Sequence, residues 1–89
     1  MKKYTIGATY NSNCSKKISA KDIVIEDLKL SRVKELELQI REIGSLLLVH
    51  LKHKEKTYLI KDIKAIEESL YGIWVYCKDF TIRFDTIFE

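Results

Sequence analysis

The amino-acid sequence predicts a mainly β fold, built as a small antiparallel meander or a partly closed barrel. Apolar residues occupy every second position over residues 34–41 and again near the C-terminus, which is the pattern of strands that bury one face. Short turn signals separate these segments, and the chain contains no proline. Its 89 residues suffice for a single domain, residues 1–89, with one modest hydrophobic core.

The first third of the chain predicts two strands. Residues 4–9 alternate apolar with polar or small side chains, and the polar residues 11–13 are turn formers that end this strand. Residues 22–28 are predicted to form a second strand because they contain the unbroken apolar run 23–25. Such a run indicates a strand that is buried on both faces, or one that meets a partner on one face.

Residues 34–60 predict three strands joined in a meander. Gly44-Ser45 suits a tight turn, because glycine readily adopts the positive φ of the first turn position. The next turn, at Lys54-Glu55, is less strongly specified since it contains neither Gly nor Asn. The predicted register places four apolar pairs on one face: Ile40 with Val49, Leu38 with Leu51, Leu51 with Tyr58, and Val49 with Ile60.

Two segments also have apolar residues at helical spacing. A helix over residues 31–43 would make the fold α+β, but Lys34 stands where a capping box requires Glu or Gln, so a strand is favoured. Residues 61–71 could form one short helix ending before Gly72. The order of charges there opposes the helix dipole, so a bent strand with a bulge near Ala65 is favoured.

The C-terminal part predicts a hairpin of residues 73–77 and 80–84 around Lys78-Asp79. One face of this hairpin is apolar and pairs Ile73 with Phe84, Val75 with Ile82, and Cys77 with Phe80. The opposite face carries Trp74, Tyr76, Thr81 and Arg83. Trp74 and Arg83 are direct cross-strand neighbours on that face, so they can form a cation–π pair.

Trp74, Tyr76 and Arg83 are the candidate protein-binding residues, because Trp, Tyr and Arg are enriched at interface hot spots. Closure into a small barrel would instead bury this face, with Trp74 in the core. The free edges of a short meander offer a second means of association, either with a partner strand or with a second copy in a homodimer.

Nucleic-acid binding is the alternative function. The net charge is +3, and residues 1–21 hold five lysines and no acidic residue. The candidate nucleic-acid-binding residues are Lys16, Lys17, Lys21, Lys52, Lys54 and Lys56, which could meet in one groove next to tyrosine rings. Only three arginines are present and acidic residues are interspersed, which favours an ordinary mixed surface.

The sequence predicts neither an enzyme nor a cofactor or metal site. His50 and His53 point to opposite faces of a strand and so do not converge on a metal ion. The carboxylates show no arrangement across a cleft, and the three glycines are isolated rather than grouped in a phosphate-binding loop. The two cysteines, Cys14 and Cys77, are expected to be free thiols.

No apolar run approaches the roughly 18 residues of a membrane span, and the N-terminal residues lack the apolar core of a secretion signal. We therefore expect a cytoplasmic protein that does not enter a membrane. Thirteen lysines and twelve isoleucines suggest an AT-rich genome, such as that of a low-GC bacterium or its phages. The function expected from these observations is a non-enzymatic interaction protein, an inhibitor or modulator from a bacterial phage or mobile element.

Overall fold

The computed structural model describes residues 2–12 and 16–88. The predicted fold class is confirmed: the described chain is mainly antiparallel β and is not closed into a barrel. Its strands are β1 (Tyr4–Asn11), β2 (Val24–Ile25), β3 (Leu28–Lys29), β4 (Glu37–Ile43), β5 (Leu46–His53), β6 (Lys56–Ile60), β7 (Ile63–Ser69), β8 (Gly72–Cys77) and β9 (Phe80–Thr86). Two single-turn 3-10 helices, Ala20–Asp22 and Leu30–Arg32, flank the short strands β2 and β3.

The strands form three antiparallel sheets. The four-stranded sheet has the order β1-β9-β8-β7, the three-stranded sheet the order β4-β5-β6, and β2 pairs with β3. The predicted register of β4, β5 and β6 is confirmed for all four apolar pairs. In the last hairpin the pairs Ile73 with Phe84 and Val75 with Ile82 are confirmed, whereas the ladder ends at Tyr76 and Thr81, before the predicted pair of Cys77 and Phe80.

Both helical alternatives are wrong within the described residues. The segment 31–43 contains β4, preceded by a single 3-10 turn, and the segment 61–71 contains β7. The ladder of β7 with β8 shifts register between Ile63 and Ala65, so the favoured bent strand with a bulge is confirmed. The bulge explains the misleading spacing, because one extra residue disturbs the period of two that marks a strand.

The prediction of one strand over residues 22–28 is wrong. The segment makes a minimal hairpin, β2 and β3, with Glu26 at a φ of 57° in its turn. Ile23 and Ile25 are buried while Val24 is 49% exposed, so the apolar run alternates between faces rather than being buried on both. The Glu26 carboxylate accepts a hydrogen bond from the Leu59 backbone N–H at 2.8 Å, which ties this hairpin to the edge of β6.

One hydrophobic cluster fills the space between the inner faces of the two larger sheets. Its largest fully buried side chains are Phe84, Leu30, Leu51, Ile60, Ile82, Val49 and Val75. At one side the sheets are linked by a backbone bridge, since Tyr4 and Leu36 exchange hydrogen bonds of 2.8 and 2.9 Å. The outer face of the four-stranded sheet lies outside this core.

We expect Gly72→Ala to lower the free energy of unfolding by about 1–3 kcal/mol, the usual cost of overpacking. A Cβ at Gly72 would clash with the Phe84 carbonyl oxygen and lie 3.2 Å from the Asp85 Cα, and backbone atoms cannot rotate away. Urea unfolding measures the change. Gly44→Asn is the control, because Gly44 has open space around it and a φ of +61° that Asn tolerates. An equal loss of free energy of unfolding in both variants would contradict the clash at Gly72.

Candidate functional site

The outer face of the four-stranded sheet carries three stacked aromatic rings. The ring centroids of Tyr10 and Trp74 are 5.7 Å apart with an interplanar angle of 20°. Those of Trp74 and Tyr76 are 6.0 Å apart at 11°. We call these three residues, together with Arg83, the aromatic face. They come from β1, β8 and β9, so the face exists only in the folded sheet.

A small residue in the middle of the sheet makes room between the rings. Thr81 lies directly between Tyr10 on β1 and Tyr76 on β8 in the strand register, and it is only 7% exposed. Above it is a shallow depression of about 350 Å³, lined by Tyr10, Asn11, Ser12, Trp74, Tyr76 and Thr81. The rings are half-buried, so their outward edges remain accessible to a partner.

Arg83 is held in place over the indole. Its guanidinium carbon lies 5.9 Å from the Trp74 ring centroid, within the range of a cation–π contact. Arg83 Nε and Nη2 donate to the two carboxylate oxygens of Asp85 at 2.8 and 3.2 Å. The hydrogen bond to Asp85 raises the pKa of Arg83 above its ordinary value, so the guanidinium stays charged. A paired cation of this kind is already neutralised locally and offers little to a polyanion.

The bulge in β1 makes space for the Asp85 carboxylate. The register of β1 with β9 shifts between Ile6 and Ala8, and a Cβ on the intervening Gly7 would overlap the carboxylate of Asp85. Glycine at this position therefore lets Asp85 lie close to β1, where its carboxylate accepts both hydrogen bonds from Arg83. The bulge thus helps to position Arg83 on the aromatic face, because it makes room for Asp85.

The two sides of the aromatic face carry opposite charges. Tyr76 donates its hydroxyl hydrogen to Glu67 Oε1 at 2.9 Å; burial, followed by this hydrogen bond and the charge of Glu67, raises the pKa of Tyr76. On the other side an isolated bridge pairs Lys17 with Tyr10. The face is therefore mixed in charge, as is common around protein interfaces.

Trp74, Tyr76 and Arg83, the predicted protein-binding residues, are brought together. Tyr10 completes the same face, and the sequence pattern did not assign it there. Simple alternation from Tyr4 places Tyr10 on the inner face with Ile6, but the bulge at Gly7 turns the rest of β1 over. An isolated glycine within a strand pattern was the only signal for this.

Five of the six predicted basic residues lie at two places. Lys16 and Lys17 lie beside the end of β1, where the Asn11 N–H donates to the Lys16 carbonyl. Lys52 and Lys54 border a groove with Lys3, which precedes the start of β1, and Lys56 begins β6. The eight residues of β1 separate the two places by roughly 20 Å. Lys21 belongs to the first 3-10 turn.

Chemistry of other kinds is sparse. Within residues 2–12 and 16–88, no group of three or more His, Cys, Asp or Glu side chains could hold a metal ion. Burial, with the charges of Asp62 and Asp79, raises the pKa of the Cys77 thiol to about 12, so Cys77 is a thiol at neutral pH. Cys14 lies outside the described residues. The described chain has no helix of the length and apolarity needed to cross a membrane.

Comparisons of this chain with protein-family models, with curated proteins and with solved structures gave no match. The fold and the site define a small antiparallel β domain with an accessible aromatic face on one sheet.

Proposed function

We propose that this chain is a non-enzymatic protein that binds a protein partner through the aromatic face. The observation that carries the proposal is the set of half-buried stacked rings of Tyr10, Trp74 and Tyr76 with Arg83 over the indole. Rigid aromatic side chains supply a large contact area at low cost in conformational entropy, and Trp, Tyr and Arg dominate interface hot spots. The polar side chains of Asn11, Ser12 and Glu67 supply the surrounding rim.

The charges around the rings favour a protein over a nucleic acid. Stacking rings also occur in single-strand binders, but there they accompany a groove of free cations along the backbone path. Here Arg83 is paired with Asp85, and Glu67 lies against Tyr76. A phosphate backbone crossing this face would meet two carboxylates.

An origin in a phage or mobile element of a low-GC bacterium fits the Lys- and Ile-rich composition, and we propose that the protein acts in the cytoplasm of that host. Small domains of this kind commonly act by occupying a surface of a larger host protein, so we propose a role as an inhibitor or modulator.

Salt dependence separates protein binding from the nucleic-acid alternative. We expect capture of the partner from a low-GC bacterial lysate to survive nuclease treatment and to change little between about 50 and 200 mM salt, because an apolar hot spot involves little counterion release. Binding to phosphates would instead weaken steeply over the same range. Single-stranded oligonucleotides provide the direct probe for the alternative, with retention measured by filter binding.

A lysine variant is the matched control for this experiment. Substituting Lys52, Lys54 and Lys56 with Gln should leave protein capture intact, because these side chains lie on the β5–β6 hairpin away from the aromatic face. Capture that depends on these lysines and is lost with nuclease would support the nucleic-acid alternative and overturn the proposal. Trp74 is the only tryptophan in the chain, so its fluorescence reports directly on occupation of the face by a recovered partner.

A further inference from the structure

We propose that two copies of this chain pair antiparallel through the edge of β4, joining their three-stranded sheets into one continuous sheet. The inference is independent of the aromatic face, which belongs to the other large sheet. It starts from the outer edge of β4. Over residues 37–43, no strand of the described chain pairs with the side of β4 that faces away from β5.

The other sheet edges in the described chain are covered or irregular. The edge of β1 is bridged by Leu36 at one end and by Lys17 at the other, with the bulge at Gly7 between them. The edge of β6 is met by the β2–β3 hairpin through the bond from Leu59 to Glu26. β7 carries a bulge. Coverings and bulges of this kind prevent strand addition, whereas β4 pairs with β5 without a register shift.

The backbone of β4 is oriented to accept a new strand. Leu36 exchanges both of its backbone hydrogen bonds with Tyr4, on the side away from β5. Because the direction of backbone groups alternates along a strand, the N–H and C=O groups of Leu38, Ile40 and Glu42 also point away from β5. Among the described residues, no backbone hydrogen bond beyond the Tyr4–Leu36 pair joins the N-terminal strand to this edge.

The side chains of β4 are complementary to a second copy. A two-fold axis at Gln39 places Glu37 opposite Arg41 of the second copy on one face. It places Leu38 opposite Ile40 of the second copy on the face that continues the core. In this register Leu38 and Ile40 form the hydrogen-bonded pairs, in agreement with the direction of their backbone groups.

Neither charge has a partner among the residues of one chain that the structure describes. Glu37 Oε2 is shielded from solvent and has no hydrogen-bond partner. Arg41 makes no ion pair among residues 2–12 and 16–88. Charges on an exposed strand edge usually oppose edge-to-edge pairing. Here their opposite signs about Gln39 instead favour one antiparallel register with a second copy.

Charge reversal tests the pairing. Sedimentation velocity of the full chain from about 5 to about 500 µM, the range suited to a small interface, should show a dimer that forms with rising concentration. Glu37→Arg and Arg41→Glu should each weaken the dimer at least about tenfold, because both symmetric pairs become like-charged. The double variant E37R/R41E restores opposite charges and should restore the dimer. A monomer at every concentration, or a double variant as weak as the single ones, overturns the proposal.

A cysteine placed at the axis tests the register. Across a non-hydrogen-bonded pair the Cα atoms lie about 4.5 Å apart, within the range of a disulfide. In a Cys14→Ser background, Gln39→Cys should therefore form a covalent dimer under mild oxidation, seen on a non-reducing gel. His50→Cys is the control, because it is the neighbour of Gln39 on the central strand β5 and cannot meet its counterpart. Equal cross-linking of both variants would overturn the register. Cys77 is only 2% exposed and does not compete.

Discussion

Phe84→Ala is expected to lower the free energy of unfolding by about 3–5 kcal/mol, the usual cost of truncating a buried Phe. Phe84 is fully buried and lies on β9, an inner strand of the four-stranded sheet, between Ile6 on β1 and Ile73 on β8. The loss combines the transfer of a ring out of the core with a cavity that paired strands cannot close. Since small domains are stable by about 5–15 kcal/mol, this variant should lose a large fraction of the domain's stability.

Urea unfolding, followed by circular dichroism, measures this loss. Two further variants, Phe84→Leu and Phe88→Ala, serve as comparisons. Phe84→Leu keeps most of the volume and should cost clearly less than Phe84→Ala, while remaining folded enough for a full transition. Phe88→Ala removes the same ring from a residue that is 63% exposed and should change stability by no more than about 0.5 kcal/mol. A loss for Phe84→Ala as small as that for Phe88→Ala would show that Phe84 does not lie in the core.

The sheets with a strict period of two could be predicted from the sequence. In β4 and β5 a shift by one residue would place apolar side chains opposite polar ones, so the pattern itself fixes the register. The last hairpin follows the same logic and correctly placed Trp74 opposite Arg83. Two of the three strands that contribute the aromatic face were therefore accessible to sequence reasoning.

The parts that could not be predicted depend on single-residue irregularities. The bulge at Gly7 reverses the outward direction along β1 and brings Tyr10 to the aromatic face. The turn at Glu26 converts an expected strand into a two-residue hairpin. Both depend on long-range packing, since Asp85 occupies the space at Gly7 and Leu59 binds Glu26. Neither irregularity can be predicted from the local sequence, because Asp85 and Leu59 are distant in the chain from Gly7 and Glu26.

Trp74→Ala is expected to weaken binding of the protein partner by about 2–4 kcal/mol, or roughly 30- to 1,000-fold in Kd. Trp74 is the central member of the aromatic face: it stacks on Tyr10 and on Tyr76 and lies under the Arg83 guanidinium. Its removal deletes its own contact area and leaves both tyrosines without their stacking partner. Isothermal titration with a partner recovered by capture measures the change.

Two further variants show whether the loss arises at this face. Tyr71→Ala removes an aromatic residue that is 73% exposed but packs against Phe88 rather than against Trp74, so binding should be unchanged. Arg83→Ala keeps the indole but removes the cation over it, and we expect a smaller loss of about 0.5–1 kcal/mol, the value of an exposed cation–π contact. Without Arg83, the Asp85 carboxylate is no longer neutralised and adds negative charge beside the rings. The variant should therefore lose more affinity for an acidic binding protein than for a basic one. Wild-type affinity in a folded Trp74→Ala variant would show that the partner binds elsewhere.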